Sequence, residues 1–376
     1  MRINIVSPEF PPDIGGVETY AYEFTKELAR RGHEVAVFTR RHPQGEASLP
    51  GVVVRPVLTL RRNLDRKTLA RYSAEVWHVM NAAYAWLALE GKPTVVSVYG
   101  NDFLRPHIPM AQFDPRGIPF FWQLSKTSPA WLKPFWLWRT RRLFERALPR
   151  AKQIIAISRY TEKAFLDRYP ACRGKTSVGF LGVAEAFFSV EHHVNRDNTP
   201  RLLTVCRLSE PRKNVDRVIR ALATLKDGHD FRYTVIGDGH RRPQLERLAK
   251  ELGLQDRIRF TGRVGDAELL RAYSEADLFV LTSSVLPGSH EGFGIVYLEA
   301  AASGVPSLAA RLAGAAEAVA DGVSGMFVEN PTEDAIAAAL KRFLEGAMTF
   351  DRNACRDFAR RFSWQGIVDH ALRHYA

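Results

Sequence analysis

Three cysteines in 376 residues, none of them in a C-x-x-C pair, leave no disulfide framework and no thiolate zinc site to build on. Cys172, Cys206 and Cys355 suit a reducing cytosol. No uninterrupted apolar run reaches the length of a membrane span, and the opening MRINIVSPEF offers one arginine and a strand pattern in place of a signal core, so neither a cleaved signal nor a transmembrane anchor is expected. Low-complexity tracts and fixed-period repeats are missing as well, which excludes disordered and solenoid architectures. Acidic residues are scarce in one half only: residues 1–182 carry 28 Lys/Arg against 15 Asp/Glu, and residues 183–376 carry 25 against 26. The whole excess behind the net charge of +12 therefore lies in the first half, where it fits a phosphorylated acceptor, an acidic membrane surface or nucleic acid. Scattered solvated faces are the plainer alternative.

What is present is the composition of an ordinary globular chain, 46% hydrophobic and 25% charged, long enough for two cores. Both halves alternate short buried-strand runs with helical patterns. INIVS precedes a turn-rich PEFPPDIGG and then a helix with Val17, Tyr20, Ala21, Phe24 and Leu28 on one face, closed by Gly32. VAVFT, TVVSVY and QIIAIS follow as strands. The second half repeats the grammar with LLTVCRL, YTVIGDG, RIRFTG, DLFVLTS, SLAAR and GMFVEN. Two α/β domains with parallel sheets are predicted: residues 1–182, a linker over 183–200 that loses the periodicity, residues 201–350, and a helical segment 351–376 that could pack back on the first domain.

In such sheets ligands sit at the carboxyl ends of strands, where helix starts present free N–H groups. Gly15 and Gly16 follow the first strand and would let backbone approach a phosphate, although two glycines in a turn are more often only a turn. A stronger pattern is GSHEGFGIVYLEAAASGVP: Glu291 in a loop after DLFVLTS, Gly292 and Gly294 next, then a helix carrying Glu299 and ended by Gly304 and Pro306. Backbone donors there could hold a diphosphate, with one carboxylate for sugar hydroxyls and one for ribose hydroxyls. A nucleotide sugar has all three parts.

EGFGIVYLE resembles the E-x7-E signature of the family 4 retaining glycosyltransferases, and GGVE, CRLSEPRKN, VIGDG, FTGRV and the tail EAAASGVPSLAARLAGAAEAVADGVSGMFV agree with that family in order along nearly the whole chain. Weaker stretches fall at about 40–95 and 103–138. The resemblance implies the GT-B fold, two facing Rossmann-like domains with an interdomain cleft. It also implies that Arg207 and Lys213 hold the donor diphosphate with backbone help from Gly292, Phe293, Gly294 and Ile295, that Glu291 faces the transferred sugar, that Glu299 takes the ribose, and that Val264 lies at the base. Such enzymes are described as retaining configuration without a clear protein nucleophile, the leaving phosphate assisting deprotonation of the acceptor. No D-x-D occurs in the chain, so the usual carboxylate pair for a divalent metal is lacking and metal independence, with no cofactor beyond the nucleotide-diphosphate sugar, is expected.

Two departures stand out. Where the family commonly shows H-G-x-D, this chain reads VYGNDF, and Tyr99 replaces the histidine; it can donate a hydrogen bond but cannot titrate near neutral pH. His290, beside Glu291, could compensate, though a lone loop histidine is more often merely solvated. The other departure is residues 103–148, holding four of the seven tryptophans and ending in a basic amphipathic run with Trp136, Trp138, Arg141 and Arg142. Buried core would absorb part of these aromatics. The leading expectation is a hexosyltransferase-class enzyme, peripheral on the cytoplasmic face of the cell membrane, moving sugar from a nucleotide sugar to a lipid-linked or glycan acceptor. A soluble small-molecule acceptor and a non-catalytic nucleotide-sugar-binding protein are the alternatives. Nucleic acid is disfavoured because no helix-turn-helix, RRM or OB signature occurs.

Overall fold

The computed structural model describes residues 1–12, 15–43, 45, 47–104, 133–193 and 199–375. Most of the aromatic insert, including residues 105–132, lies outside the described residues, as does the side chain of Trp136. Two compact units are present, one formed by Met1–Phe180 with Trp364–Ala376, the other by Leu181–Ser363.

The first unit holds, among its described residues, seven parallel strands: β1 (Arg2–Val6), β2 (Glu34–Arg40), β3 (Val52–Leu58), β4 (Val76–Val79), β5 (Thr94–Val98), β6 (Gln153–Ala156) and β7 (Thr176–Val178), in the spatial order β3-β2-β1-β4-β5-β6-β7. β1, β4, β5 and β6 are buried almost throughout, which is why they read as continuous apolar runs and not as alternating ones. Pattern reading passes over β3, β4 and β7; β4 has only four residues and His78 interrupts its apolar run. That imidazole is tied to Ser97 Oγ at 2.8 Å and to the Tyr375 hydroxyl. Burial holds it neutral, with its pKa pushed down to about 3.

The same contacts explain where the end of the chain goes. The helix Trp364–Leu372 docks in the first unit through Arg31, which pairs with Asp369 and donates to Gln365 O at 2.8 Å. Lys152 Nζ caps Tyr375 O at 3.0 Å, and the Trp364 ring packs 5.5 Å from Tyr20.

The second unit holds, among its described residues, β8 (Arg201–Val205), β9 (Arg232–Ile236), β10 (Ile258–Gly262), β11 (Leu278–Leu281), β12 (Ser307–Ala310) and β13 (Gly325–Val328), parallel and ordered β10-β9-β8-β11-β12-β13. This is the 3-2-1-4-5-6 order of a nucleotide-binding sheet. Its core packs Leu202, Val235, Leu278, Val280 and Leu308 under Val218, Leu222 and Ile336. The start of the stretch read as a linker is already part of this unit: Val183, Phe187 and Val190 are buried, Val183 N donates to Phe362 O at 3.1 Å, and His193 N donates to Ser274 O at 2.9 Å. Only the short 3-10 turn Glu185–Phe187 is regular here, so no helix or strand run announces this packing.

Candidate active site

In a 3-2-1-4-5-6 sheet the strand order reverses between the first and fourth strands, here β8 and β11, and the loops leaving their carboxyl ends diverge to form a crevice. The loop from β8 runs into a short 3-10 turn, Pro211–Lys213, and then Asn214 in the left-handed region (φ 55) before the helix Val215–Leu225. Asparagine tolerates that conformation. It also fastens the turn across the crevice: its Nδ2 donates to Thr282 O and Ser284 Oγ, while Ser284 N donates to Arg212 O at 2.7 Å.

The loop from β11 carries Ser283, His290 and Glu291 and ends at Gly294 (φ 89), where a Cβ would come within 2.5 Å of the Tyr297 ring. Only glycine fits both demands. Gly314 N holds Glu291 O at 3.0 Å, and a Cβ on Gly314 would meet Gly292 O at 2.1 Å, so the loop is pressed backbone to backbone.

These constraints bring Lys213 and Glu291 together. Glu291 Oε2 accepts from Lys213 Nζ at 2.6 Å, Arg212 Nη1 at 3.1 Å and Ser283 Oγ at 3.1 Å, with all three charged side chains buried. Burial alone would raise the Glu291 pKa, but the charges and hydrogen bonds of Lys213 and Arg212 outweigh it and hold the carboxyl well below its usual range. Arg212 was not singled out by sequence reading, although it adjoins Lys213 in EPRKN. Arg207 stands apart, its side chain 68% exposed and its nearest carboxylate Glu210 at 3.7 Å. His290 is buried, and desolvation followed by the charge of Arg212 lowers its pKa to about 4.

Glu299 lies within the buried helix Ile295–Ala302, where its Oε2 accepts from the Tyr273 hydroxyl at 3.0 Å. Among the described residues no cation offsets its burial, and its pKa is raised to about 7. Phe293 and Ile295 are buried beside it in sequence, and Val264 is half-buried in the loop after β10.

The first unit has its own reversal point, between β1 and β4. Gly15 caps the helix Gly16–Arg30, but the Glu18 carboxylate folds back over it, so close that a Cβ on Gly15 would lie 2.3 Å from Oε2. A carboxylate at that helix start is a poor neighbour for a phosphate. Tyr99 is half-buried, edge-on to Tyr20 at 5.7 Å, with its hydroxyl 3.8 Å from Met80 Sδ; burial lifts its pKa well above the usual tyrosine value, so it serves only as a neutral group. Its backbone N–H, with those of Gly100 and Ala82, is gathered by the Asp102 carboxylate at 3.0, 2.9 and 3.2 Å. Sequence reading also passed over Glu9, whose carboxyl accepts from Asn81 Nδ2 at 3.2 Å and whose pKa burial and the charge of Glu18 raise to about 7.

On the helix Lys133–Ala147 of the same unit, Phe144 and Ala147 face the core while Phe135 and Trp138 stack in solvent at 6.2 Å. Arg141 and Arg142 are exposed, and the Arg142 guanidinium lies 5.9 Å from the Trp138 ring centroid.

Comparison with known proteins bears on the family and the fold. Residues 188–362 match the family described as glycosyl transferases group 1, and residues 14–185 match Glycosyltransferase Family 4. The chain is 29% identical to a D-inositol 3-phosphate glycosyltransferase of Mycolicibacterium gilvum, over 96% of this chain and 85% of the relative. It is 28% identical to a GDP-mannose-dependent alpha-(1-6)-phosphatidylinositol monomannoside mannosyltransferase of Mycolicibacterium smegmatis, over 89% and 87%. Among solved structures, a sucrose-phosphate synthase from Thermosynechococcus elongatus superposes with a TM-score of 0.76 at 20% identity, covering 100% of this chain and 98% of that one, which shows the shared GT-B fold.

The contrast between the two glutamates sets a stability test. Glu291→Gln strips the charge that offsets two buried cations and is expected to destabilise the second unit by about 3–5 kcal/mol. Glu299→Gln replaces a carboxyl that is already half protonated near pH 7 by a neutral group of the same shape, and is expected to cost less than about 1 kcal/mol. Calorimetric unfolding of both variants at pH 7 compares them; equal costs would contradict the environments described.

Proposed function

The chain belongs to the family 4 glycosyltransferases, and from that premise we propose that it transfers a sugar, with retention of configuration, from a nucleotide-diphosphate sugar to a membrane-associated, lipid-linked or glycan acceptor in polysaccharide or glycolipid assembly. The observation that carries the donor half is the buried Lys213–Glu291–Arg212 cluster at the strand-order reversal of the second unit. Lys213 and the exposed Arg207 would take the diphosphate, where negative charge grows as the glycosidic bond breaks. Backbone of Gly292, Phe293, Gly294 and Ile295 would add donors at the helix start. Glu291 would accept from sugar hydroxyls and Glu299 from the ribose, with Val264 against the base.

The acceptor half rests on the stacked, exposed Phe135 and Trp138 with Arg141 and Arg142 beside them, apolar rings and cations suited to an interface of anionic headgroups. The phosphatidylinositol monomannoside substrate in the name of the mycobacterial mannosyltransferase is consistent with a lipid acceptor, while the inositol phosphate in the name of the other relative favours the second reading, a soluble small-molecule acceptor. The attachment proposed is peripheral, on the cytoplasmic face; no helix among the described residues is long and apolar enough to cross a membrane.

Donor binding is read through Glu299. With hydrogen bonds to charge worth roughly 1.5–3 kcal/mol each, Glu299→Ala is expected to weaken nucleoside diphosphate binding on the order of 10²-fold. Because accepting from ribose favours the carboxylate and the group's pKa is raised to about 7, wild-type affinity should rise as pH passes upward through 7 and then level off. Affinity unchanged in the variant would sink the ribose assignment.

Turnover is expected to persist in excess EDTA, since cations of the chain neutralise the diphosphate. Complete loss, restored by Mg²⁺ or Mn²⁺, would count against metal independence.

For the membrane, each arginine near an anionic surface contributes about 1 kcal/mol, enough for weak, salt-sensitive attachment. Co-sedimentation should need anionic vesicles, fall at high salt, and fall again when Trp136, Trp138, Arg141 and Arg142 are all changed to alanine. Wild type that ignores vesicles of every composition would turn the choice to the soluble acceptor.

A further inference from the structure

Lys213 has two calls on it. Its ammonium lies 2.6 Å from Glu291 Oε2, yet the function proposed above needs it on the donor diphosphate. A buried carboxylate that gives up its one cation is left uncompensated in a poorly solvated site, which would oppose the move. Glu291 has a second. Arg212 Nη1 reaches the same oxygen at 3.1 Å, and the far side of that guanidinium is held by Glu210 Oε2, so Arg212 is anchored at two points. Its backbone is fixed too, by the bond from Ser284 N to Arg212 O. With Lys213, Arg212 and Ser283 all on Oε2, Oε1 has no partner among the described residues.

We propose that Arg212 is a positioning residue, which keeps its hold on Glu291 when Lys213 leaves that carboxylate for the donor diphosphate. The proposal rests on the donor-site reading. Arg212 touches no part of the donor; it acts through Glu291, whose Oε1 stays aimed and whose charge stays compensated while the lysine is away. Lys213, with a flexible stem and a compact charge, suits the part that moves, and the planar guanidinium, ion-paired to a carboxylate on each side, suits the part that stays.

The charged and titratable groups around Glu291 are Lys213 and Arg212 from the turn, Glu210 ahead of it, Cys206 after β8, His290 alongside, and Tyr297 from the following helix. Burial pushes the Cys206 thiol up to about 12 and the Tyr297 hydroxyl well above its usual value, and His290 is already neutral above about 4. If Arg212 is missing when Lys213 departs, burial acts on Glu291 unopposed, and that carboxyl takes up a proton as the nucleotide binds. The sign is definite: desolvation favours the neutral form.

The experiment is calorimetric titration of the full chain with UDP, GDP and ADP at pH 7.5, in buffers of different ionisation enthalpy, to count protons exchanged on binding. Comparing each variant with wild type cancels the proton of the nucleotide's own terminal phosphate. Arg212→Gln is expected to bind on the order of tenfold more weakly and to take up a fraction of a proton more than wild type. Arg212→Gln with Glu291→Gln should lose the extra uptake. Arg212→Lys, which restores a cation without the fork, should fall between wild type and Arg212→Gln, and decides the matter if the glutamine variant does not fold. Wild-type affinity and proton count in Arg212→Gln, or in Arg212→Lys where that variant decides, overturn the positioning role. An affinity loss with no extra proton overturns it too, as does extra uptake that survives in the double variant. If wild type binds none of the three nucleotides, the donor-site reading itself falls and takes the proposal with it.

Discussion

One oxygen atom organises the second unit. Glu291 Oε2 is buried and ionised, which is tolerable only because Lys213, Arg212 and Ser283 converge on it. Convergence in turn requires that the turn after β8 and the loop after β11 stay in register. The Asn214 side chain, bound to Thr282 O and Ser284 Oγ, ties the two together, while Gly294 at positive φ and the close approach of Gly314 to Gly292 fix the course of the loop after β11. The strand order explains why it happens there: β8 and β11 are neighbours whose connections leave in opposite directions, so their carboxyl ends are the place in this sheet where two loops can face each other across open space.

The eight-residue spacing of Glu291 and Glu299 puts two carboxyls of one short stretch into opposite electrostatic settings. Two cations keep one ionised far below neutral pH, while the other, with only the Tyr273 hydroxyl, titrates near 7. A pair pushed apart in this way can divide its work, one carboxylate permanently an acceptor, the other responsive to pH and to what binds it. The first unit differs at its own reversal point, where Glu9 with Asn81, and Asp102 with three backbone N–H groups, stand at the ends of β1, β4 and β5 and burial raises both carboxyls.

Sequence reading reached the strands of the second unit because most of them carry short apolar runs, fully buried in β11 and β12; it reached Glu291 and Glu299 through a motif with fixed spacing at one helix start, and Lys213 through the separate stretch CRLSEPRKN. Arg212 was not legible: an arginine in a charged, proline-containing turn looks like any solvated residue until the fold buries it, and only three-dimensional proximity to Glu291, 79 positions away, reveals its partner. Arg207 is the converse, singled out by motif and found exposed. β4 was hidden by His78, whose cost in an apolar strand is offset by Ser97 and by Tyr375 from the far end of the chain, a compensation that no local window contains. Gly15 shows the limit of reading glycine as phosphate contact, since the neighbouring Glu18 takes the space.

The central claim is that nucleoside diphosphate binds at the turn Pro211–Lys213 and the start of the helix Ile295–Ala302. Amide hydrogen exchange measured with and without UDP, GDP or ADP tests it most directly, because a bound diphosphate would cover the backbone N–H groups of the helix start and, by drawing on the Lys213 side chain, hold the turn closed. The account predicts that the nucleotide which binds slows exchange in those two segments of the second unit. Protection confined to the first unit, around residues 9–16 and Asn81, with none at 211–213 or 291–302, would contradict it.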